Sequence, residues 1–447
     1  MKIRIAYLII ACLLCFGWLY AQEETSEIEQ LKAKTSSLES TVAKLSRFKV
    51  TGFIQTQYQY AQWGVDGYNF KLQNRQNSVE LAENQDFGRF GLRRARLKVT
   101  YDEGLVQVVF QPDFSFSGVS VKDASVAVRD PFFGTNSIKM GLFARPFGHE
   151  TAYSSSLRES PERTRMTQTL FPDDRDIGVM LTLQPAKTSP LHPLKLEGGL
   201  FVGNGIGPQV SRRMDFIGHL TMTQSHGQDV VFSMGVSAYL GGVLQNDASV
   251  YIMKDGYFQL REQPIKDNIN RYAKRQYIGA DAQLKWITVL GLTHLRAEYV
   301  FGEHAFPGGV YAKLNSLRTG PVFMRQLNGG YIVLAHDIGR SPATLVVKYD
   351  WYDPNTAVEG DDIAKDTMNN MQEKTGSGDI KKSTIGLGLL YHFNPSLKLT
   401  AYYDIVKTET TIHLKDVKNG STGKLTEYGY ENRRKENVFT LRLQYKF

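Results

Sequence analysis

The most concentrated set of chemically active side chains is a basic stretch in the first quarter of the chain. The segment FGRFGLRRARLKVTYDEG carries its cations at Arg89, Arg93, Arg94, Arg96 and Lys98. Guanidinium groups offer planar, forked donors and stay charged at any physiological pH, so they bind oxyanions such as phosphate or carboxylate well. The stretch therefore predicts anion binding, provided that its cations share one face.

Strand periodicity indicates which of these cations share a face. Before the cluster, the apolar residues fall on even-numbered positions, Phe90 and Leu92. After it they fall on odd-numbered positions, Ala95, Leu97, Val99 and Tyr101, so the two sets would face opposite sides of a regular strand. A β-bulge near Arg93 and Arg94 reconciles the two phases. With that register, Arg94, Arg96 and Lys98 occupy successive inward positions, each about 7 Å from the next.

A second group of arginines lies in the polar segment from Gly148 to Asp176. It comprises Arg158, Arg163, Arg165 and Arg175, interspersed with Glu150, Glu159, Glu162 and Asp173. One interpretation is a constriction that selects solutes by charge, which requires a narrow passage because a single charge is screened over about 8 Å. The other is a self-neutralised latch, in which the segment's own arginines and acids pair. For Arg94, Arg96 and Lys98 the alternative to anion binding is that they pair with acidic loop residues such as Asp173, Asp174 and Asp176 and brace a folded-in loop. Both interpretations can hold at once.

The elements that would position these residues are β-strands. The last ten residues, VFTLRLQYKF, place apolar side chains on one face and polar ones on the other, and they end on Phe447. In a soluble sandwich the apolar face would be core, whereas in a transmembrane barrel it would meet lipid and the polar face would line the interior. A closed barrel needs its last strand to pair with its first, which explains a strand at the very end.

Hairpins and loop lengths favour the barrel. Two clear hairpins turn through GRSP at Gly339 to Pro342 and through NPS at Asn394 to Ser396, and short turns of this kind alternate with long polar connections. The chain has 40 Gly, 23 Tyr and 24 Phe, and no stretch after the amino terminus approaches the roughly 18 apolar residues of a membrane-spanning helix. We therefore predict an all-β, antiparallel transmembrane barrel of about 16 strands, with 18 as the alternative.

The amino-terminal region divides into two expected segments before the barrel of residues 49–447. Residues 1–21 have the basic, apolar and small-residue layout of a cleavable signal peptide, and they contain both cysteines, Cys12 and Cys15. A lipoprotein box around Cys12 is the weaker alternative. Residues 22–48 carry apolar side chains at steps of three and four and predict a short periplasmic coiled coil, the alternative being a lone helix or a spacer.

Other classes of function find little support in the sequence. None of the nine histidines forms an H-E-x-x-H pair and no G-x-S-x-G is present, so we expect no enzyme, no metal site and no cofactor. A barrel-embedded hydrolase remains an alternative, because catalytic groups can come from distant strands. Nucleic-acid binding is not expected despite the net charge of +8, because the basic residues alternate with aromatic ones along strands.

Four motifs from Arg93 to Leu181 resemble the phosphate-selective porin O and P family. They are RRARLKV, VKDASVAV (Val121 to Val128), MGLFARPFGHE (Met140 to Glu150) and FPDDRDIGVML (Phe171 to Leu181). The resemblance implies a trimeric, 16-stranded porin of the bacterial outer membrane, with a long loop folded into each channel and basic residues that attract anions. Lys139 and Arg145 at the third motif join the anion-binding set, although family members commonly carry a lysine where this chain has Ala144.

Together these observations predict a passive diffusion porin that prefers anions, with phosphate as one candidate solute. Its expected partners are two further copies of the chain, outer-membrane lipid, small anionic solutes and the barrel-assembly machinery. The last is expected because the final Phe447 resembles the carboxyl-terminal signature of bacterial outer-membrane proteins, which that machinery recognises. A structural or adhesive barrel that tethers the envelope is the alternative, favoured by the coiled coil and the long loops.

Overall fold

The computed structural model describes residues 29–62, 86–115, 118–172, 174–207, 212–261, 268–306, 317–318, 320–418, 425–427 and 429–447. The predicted signal peptide, residues 22–28 of the predicted coiled coil and Asp173 lie outside these residues. Within them, residues 29–46 form a short helix, α1, and the remainder is dominated by strands.

Sixteen antiparallel strands form the wall of a closed barrel, as the sequence predicts. Each pairs with its neighbours in chain order, and β16 pairs with both β15 and β1. The strands are β1 Phe48–Ala61, β2 Phe87–Asp102, β3 Val106–Ser115, β4 Gly118–Arg129, β5 Ser137–Ala144, β6 Arg175–Leu183, β7 Leu194–Phe201, β8 Asp215–His226, β9 Val230–Gln245, β10 Tyr272–Thr288, β11 Gly291–Phe306, β12 Val322–Asp337, β13 Ala343–Asp353, β14 Lys382–His392, β15 Leu397–Thr408 and β16 Val438–Lys446.

The terminal residue completes the closure of the barrel. Strand β16 runs antiparallel to β1 from the pair Phe53 and Lys446 to the pair Ala61 and Val438. Beyond it, the Phe447 N–H donates to the Gly52 carbonyl at 3.0 Å, and the Gly52 N–H donates to the Phe447 carbonyl at 2.9 Å. The prediction that the last strand pairs with the first is confirmed.

Side chains alternate between an apolar exterior and a buried interior. On β13, Leu345 and Val347 point outward and are 49% and 47% exposed, whereas Lys348 and Asp350 point inward and are 2% exposed. A closed barrel satisfies all its backbone hydrogen bonds without a free edge, and an apolar exterior suits lipid. This is a membrane-spanning barrel, and its place is the bacterial outer membrane. Among the described residues, no helix is both long and apolar enough to cross a membrane.

The two ends of the barrel differ in the length of their connections. At the end that holds both termini of the barrel, the turns are short, with 227–229, 289–290, 338–342 and 393–396 among them. At the other end long loops predominate, including 246–271 and 354–381, and the two-residue link between β3 and β4 is the exception. The predicted hairpins and long connections are confirmed, and by this asymmetry the short turns face the periplasm.

The long loops of β9 to β14 interlock over the outer end of the barrel. A hairpin of two short strands, Val250–Lys254 and Tyr257–Leu260, pairs along one edge with β12 and along the other with residues 372–373. Beneath it the Arg325 guanidinium donates to the Asp379 carboxylate at 2.6 and 3.1 Å, with both side chains fully buried. Part of the outer mouth is therefore covered by ordered structure.

Candidate functional site

The interior of the barrel is crossed by the segment between β5 and β6, residues 145–174, which we call the inner loop. Strand β5 ends early, at Ala144, so the chain turns into the barrel instead of continuing to its rim. The inner loop contains one short helix, α2 (Arg165–Leu170), whose cap residue Thr164 accepts a hydrogen bond from the Thr167 N–H. Most residues of the inner loop are buried.

Apolar contacts hold one side of the inner loop. Phe171 lies with its ring centroid 4.9 Å from that of Phe147 and 6.1 Å from those of Tyr239 and Tyr277, two inward residues of β9 and β10. Met166 of α2 is fully buried in the same cluster. The sequence predicts a polar interior, but this part of the wall is aromatic because the inner loop needs an apolar surface to pack against.

The first residues of the inner loop bind a carboxylate of the wall. Glu298 on β11 accepts hydrogen bonds from the His149 N–H at 3.1 Å, the Glu150 N–H at 3.0 Å and the Tyr331 hydroxyl at 3.1 Å. These bonds satisfy backbone donors that would otherwise be buried without partners, which fixes where the loop enters the lumen.

The tip of the inner loop is held by a group of three charged residues that we call the Glu162 latch. The Glu162 carboxylate accepts two hydrogen bonds from Arg93 at 2.7 and 2.8 Å and one from Arg442 at 3.0 Å. Burial by itself would raise the pKa of Glu162, but Arg93 and Arg442 outweigh it and hold that pKa well below its usual range. Glu162 is therefore ionised and joins strands β2 and β16 to the loop.

The predicted bulge in β2 is present, and it sets the direction of the arginines. Gln55 of β1 pairs with Arg94 and Thr56 pairs with Leu92, so Arg93 is the extra residue. Arg94 and Arg96 consequently both project inward and are 6% exposed. The register predicted from the sequence is confirmed here.

Four of the predicted anion-binding arginines form ion pairs with acidic side chains, and two of them, Arg163 and Arg175, pair with Asp174 of the inner loop itself. The ion pairs are Arg96 with Asp113 at 2.8 Å, Arg145 with Asp176 at 3.1 Å, Arg163 with Asp174, and Arg175 with Asp123 at 3.1 Å and Asp174 at 3.4 Å. Arg165 is buried on α2, and its backbone N–H donates to Asp350 of β13 at 3.4 Å. These arginines brace the inner loop.

Two other arginines of the predicted set, Arg94 and Arg158, have no acidic partner among the described residues. Nε and one terminal nitrogen of each are buried and make no hydrogen bond there. Burial, together with the positive charge of Arg163, lowers the pKa of Arg158 to about 9, so this guanidinium is charged at neutral pH. Arg94 lies opposite the uncharged Gln55 on β1. Both guanidinium groups therefore carry a positive charge that no ion pair among the described residues neutralises.

The two predicted lysines lie away from these arginines. Lys98 lines a cavity of about 430 Å³ on the periplasmic side of the inner loop, together with Lys49 and Lys446, and Ser154 and Ser156 of the loop form part of its lining. The Lys139 ammonium lies 5.4 Å from the ring centroid of Phe143. The lining of the periplasmic cavity is thus basic.

Sequence reasoning did not select Arg442, Lys446 or Glu298 as site residues. Arg442 and Lys446 lie on the polar face of the terminal strand, and Arg442 pairs with Gln57 of β1, near the level of Arg93. The alternation of VFTLRLQYKF and the expected closure of the barrel could together have identified both. Glu298 is one acidic residue on a long strand, and no local pattern distinguishes it.

No protein-family model and no curated protein matches the chain, but many solved structures have a similar fold. A loop-deletion mutant of OmpT, an outer membrane protein of Vibrio cholerae, is 11% identical, with 90% of this chain and 99% of that chain covered and a TM-score of 0.47. An anion-selective porin from Comamonas acidovorans is 10% identical over 90% and 99% of the two chains, with a TM-score of 0.47. OmpF of Salmonella typhi is 10% identical over 90% and 97%, with a TM-score of 0.45. Identities this low concern the fold alone.

Proposed function

We propose that the protein is a passive diffusion porin of the outer membrane with a preference for anions. The observation that carries the proposal is the pair of unpaired, buried guanidinium groups of Arg94 and Arg158 in the lumen. A buried donor without a partner costs about 1–3 kcal/mol, more when it is charged. The positive charge of these two groups would attract an oxyanion or halide that approaches the inner loop, whereas it would repel a cation.

The distribution of the remaining charges supports the same preference. Most charged groups of the inner loop are neutralised in ion pairs, chiefly with charged side chains of the wall, so they add little net field. The lysines that line the periplasmic cavity, Lys49, Lys98 and Lys446, have no counterpart of opposite charge in its lining. An anion that passes the inner loop therefore meets a positive potential on the periplasmic side of the constriction.

Phosphate is the solute that the sequence resemblance suggests. The four motifs that resemble the phosphate-selective porin O and P family include the β2 arginines and both ends of the inner loop. The forked donors of Arg94 and Arg158 suit a tetrahedral oxyanion. Ala144 stands where that family commonly has a lysine, so the proposal places general anion preference before phosphate specificity.

The proposed assembly is a homotrimer in outer-membrane lipid, with no bound cofactor and no nucleic-acid partner. Phe447 completes the pairing of β16 with β1, and we propose that the barrel-assembly machinery recognises it. A structural barrel that tethers the envelope is a second candidate, favoured by the dense contacts between the inner loop and the wall. Absence of any conductance in planar bilayers would favour that second candidate.

The test is a reversal potential measured across a planar bilayer under a salt gradient. We expect the wild-type protein to prefer anions, and the double variant Arg94→Gln with Arg158→Gln to move the reversal potential toward zero. The control is Arg129→Gln, because Arg129 is already paired with Asp102 at 2.8 and 2.9 Å. A double variant that inserts normally but keeps the wild-type reversal potential would refute the role of the two arginines.

A further inference from the structure

Helix α1 carries an apolar stripe that nothing in the described part of the chain covers. Leu31, Leu38, Val42 and Leu45 are each 62–65% exposed. Their spacing of seven, four and three residues places them on one side of the helix, with the leucines at the d positions and Val42 at an a position of a heptad. Leaving such a stripe in water forfeits the burial energy of four large side chains.

We infer that this stripe packs against the same stripe of neighbouring copies, as a parallel, in-register coiled coil on the periplasmic side of the barrels. The occupant is the chain itself, because the charges beside the stripe complement each other between copies. In this heptad Lys34 is at a g position and Glu39 at an e position. A g residue faces the e residue five positions on in the adjacent parallel helix, so Lys34 of each chain meets Glu39 of the next.

The same spacing has no use within a single helix. Side chains three or four residues apart are neighbours on a helix, whereas residues five apart point in different directions. Lys34 and Glu39 therefore cannot pair within α1, and neither residue takes part in an ion pair with the described part of the barrel. The sequence repeats the arrangement one heptad earlier with Glu27 and Lys32, of which Glu27 lies outside the described residues.

The junction between α1 and the barrel imposes the parallel direction. The carbonyl of Arg47 accepts a hydrogen bond from the Asp102 N–H at 2.9 Å, and its guanidinium forms an ion pair with Glu103 on the periplasmic turn. Because all copies in one membrane have the same orientation, their helices leave the barrels on the same side. The 18 residues of α1 in the structure extend about 27 Å at 1.5 Å per residue.

Cross-linking at two heights of the stripe tests the geometry. In full chains with Cys12 and Cys15 replaced by alanine, we expect Leu31→Cys and Leu45→Cys each to form disulfides between copies when oxidised in the membrane. The control Ser40→Cys lies on the opposite side of the helix and should remain a free thiol. In a parallel, in-register pair of helices, each residue lies beside the same residue of the other copy, so both cysteine positions can cross-link. In an antiparallel pair only one level of the helix lies beside its own copy, so at most one of the two positions can cross-link.

Exchanging the charges tests the partner contact. We expect Lys34→Glu or Glu39→Lys alone to lower the temperature at which the oligomer dissociates in detergent, and the double exchange to restore it. The inference would be overturned if neither Leu31→Cys nor Leu45→Cys formed a cross-link, or if Ser40→Cys cross-linked as well as they do. It would also be overturned if the oligomer of the double charge exchange dissociated at as low a temperature as those of the single exchanges. The inference rests on the proposed assembly of copies, not on transport, so a normal reversal potential beside failed cross-links would leave the transport proposal standing.

Discussion

Replacing Glu162 by glutamine would break the Glu162 latch while leaving the barrel wall unchanged. The glutamine keeps the size of the side chain but removes the charge that Arg93 and Arg442 share, at 2.7 to 3.0 Å. No backbone hydrogen bond of β2 or β16 depends on this carboxylate. The perturbation should therefore act on the position of the inner loop and not on the formation of the barrel.

The burial of the latch sets the magnitude of the effect. Glu162 and Arg442 are 5% and 6% exposed as side chains, so their charges are poorly compensated by water. Removing one partner of a buried ion pair costs about 3–5 kcal/mol, because the other charges stay buried and unpaired. Since about 1.4 kcal/mol is a factor of ten, the population of inner loops released from β2 and β16 should rise by about two to three and a half powers of ten.

Single-channel recordings in planar bilayers measure this release directly. We expect the Glu162→Gln variant to show a larger and more variable conductance than the wild type, with unchanged heat-modifiable mobility of the barrel. The control Glu303→Gln removes a carboxylate from an exposed pair with Lys274 at 3.7 Å, which contributes little. If the Glu162→Gln variant folds and conducts like the wild type, the other contacts of the inner loop are sufficient to hold it in place, and the Glu162 latch is not required.

The latch, the closing strand and the outer loops each support one further prediction. The pKa of Glu162 is held well below its ordinary value of 4.5, so the latch is ionised above pH 4.5 and is lost only as the pH falls through the lower pKa of the folded state. The conductance at pH 4.5 should therefore equal that at pH 7. A conductance that rises with a midpoint near pH 4.5 would contradict the shift. Deleting Phe447 removes both hydrogen bonds to Gly52 and should reduce the yield of heat-modifiable protein, whereas an unchanged yield would show that closure does not need it. Asp379→Ala leaves the buried Arg325 without its carboxylate, at a cost of about 3–5 kcal/mol, and should make the outer loops sensitive to protease while the barrel stays resistant; equal digestion of wild type and variant would argue against a rigid cover.

Strand pairing in this protein could be predicted from the sequence because its signals are local. The turn at 338–342 and the turn at 393–396 follow from short polar stretches between alternating segments. The bulge at Arg93 follows from a change of phase within twelve residues of one strand, since the backbone has to insert a residue to keep apolar side chains in lipid. The closing pair of β16 and β1 follows from a terminal strand with one apolar face.

The roles of individual arginines could not be predicted in the same way. Arg94 and Arg96 are two residues apart and both project inward, so the local pattern treats them alike. Only the adjacent strand separates them, because Asp113 lies opposite Arg96 in the register of β2 and β3. The sequence could offer selectivity and bracing as alternatives, and only the tertiary contacts show which arginines form ion pairs.

The sequence alone determined that this chain forms a closed barrel and that its segment from Gly148 to Asp176 is rich in opposite charges, because period-two alternation and turn chemistry act between residues that are near each other in the chain. Tertiary structure alone decided which charges meet. Glu162 and Arg442 are 280 residues apart, and no periodicity links them. They come together because closing the barrel brings β16 beside β1, and because β5 ends early and sends the inner loop across the lumen to them.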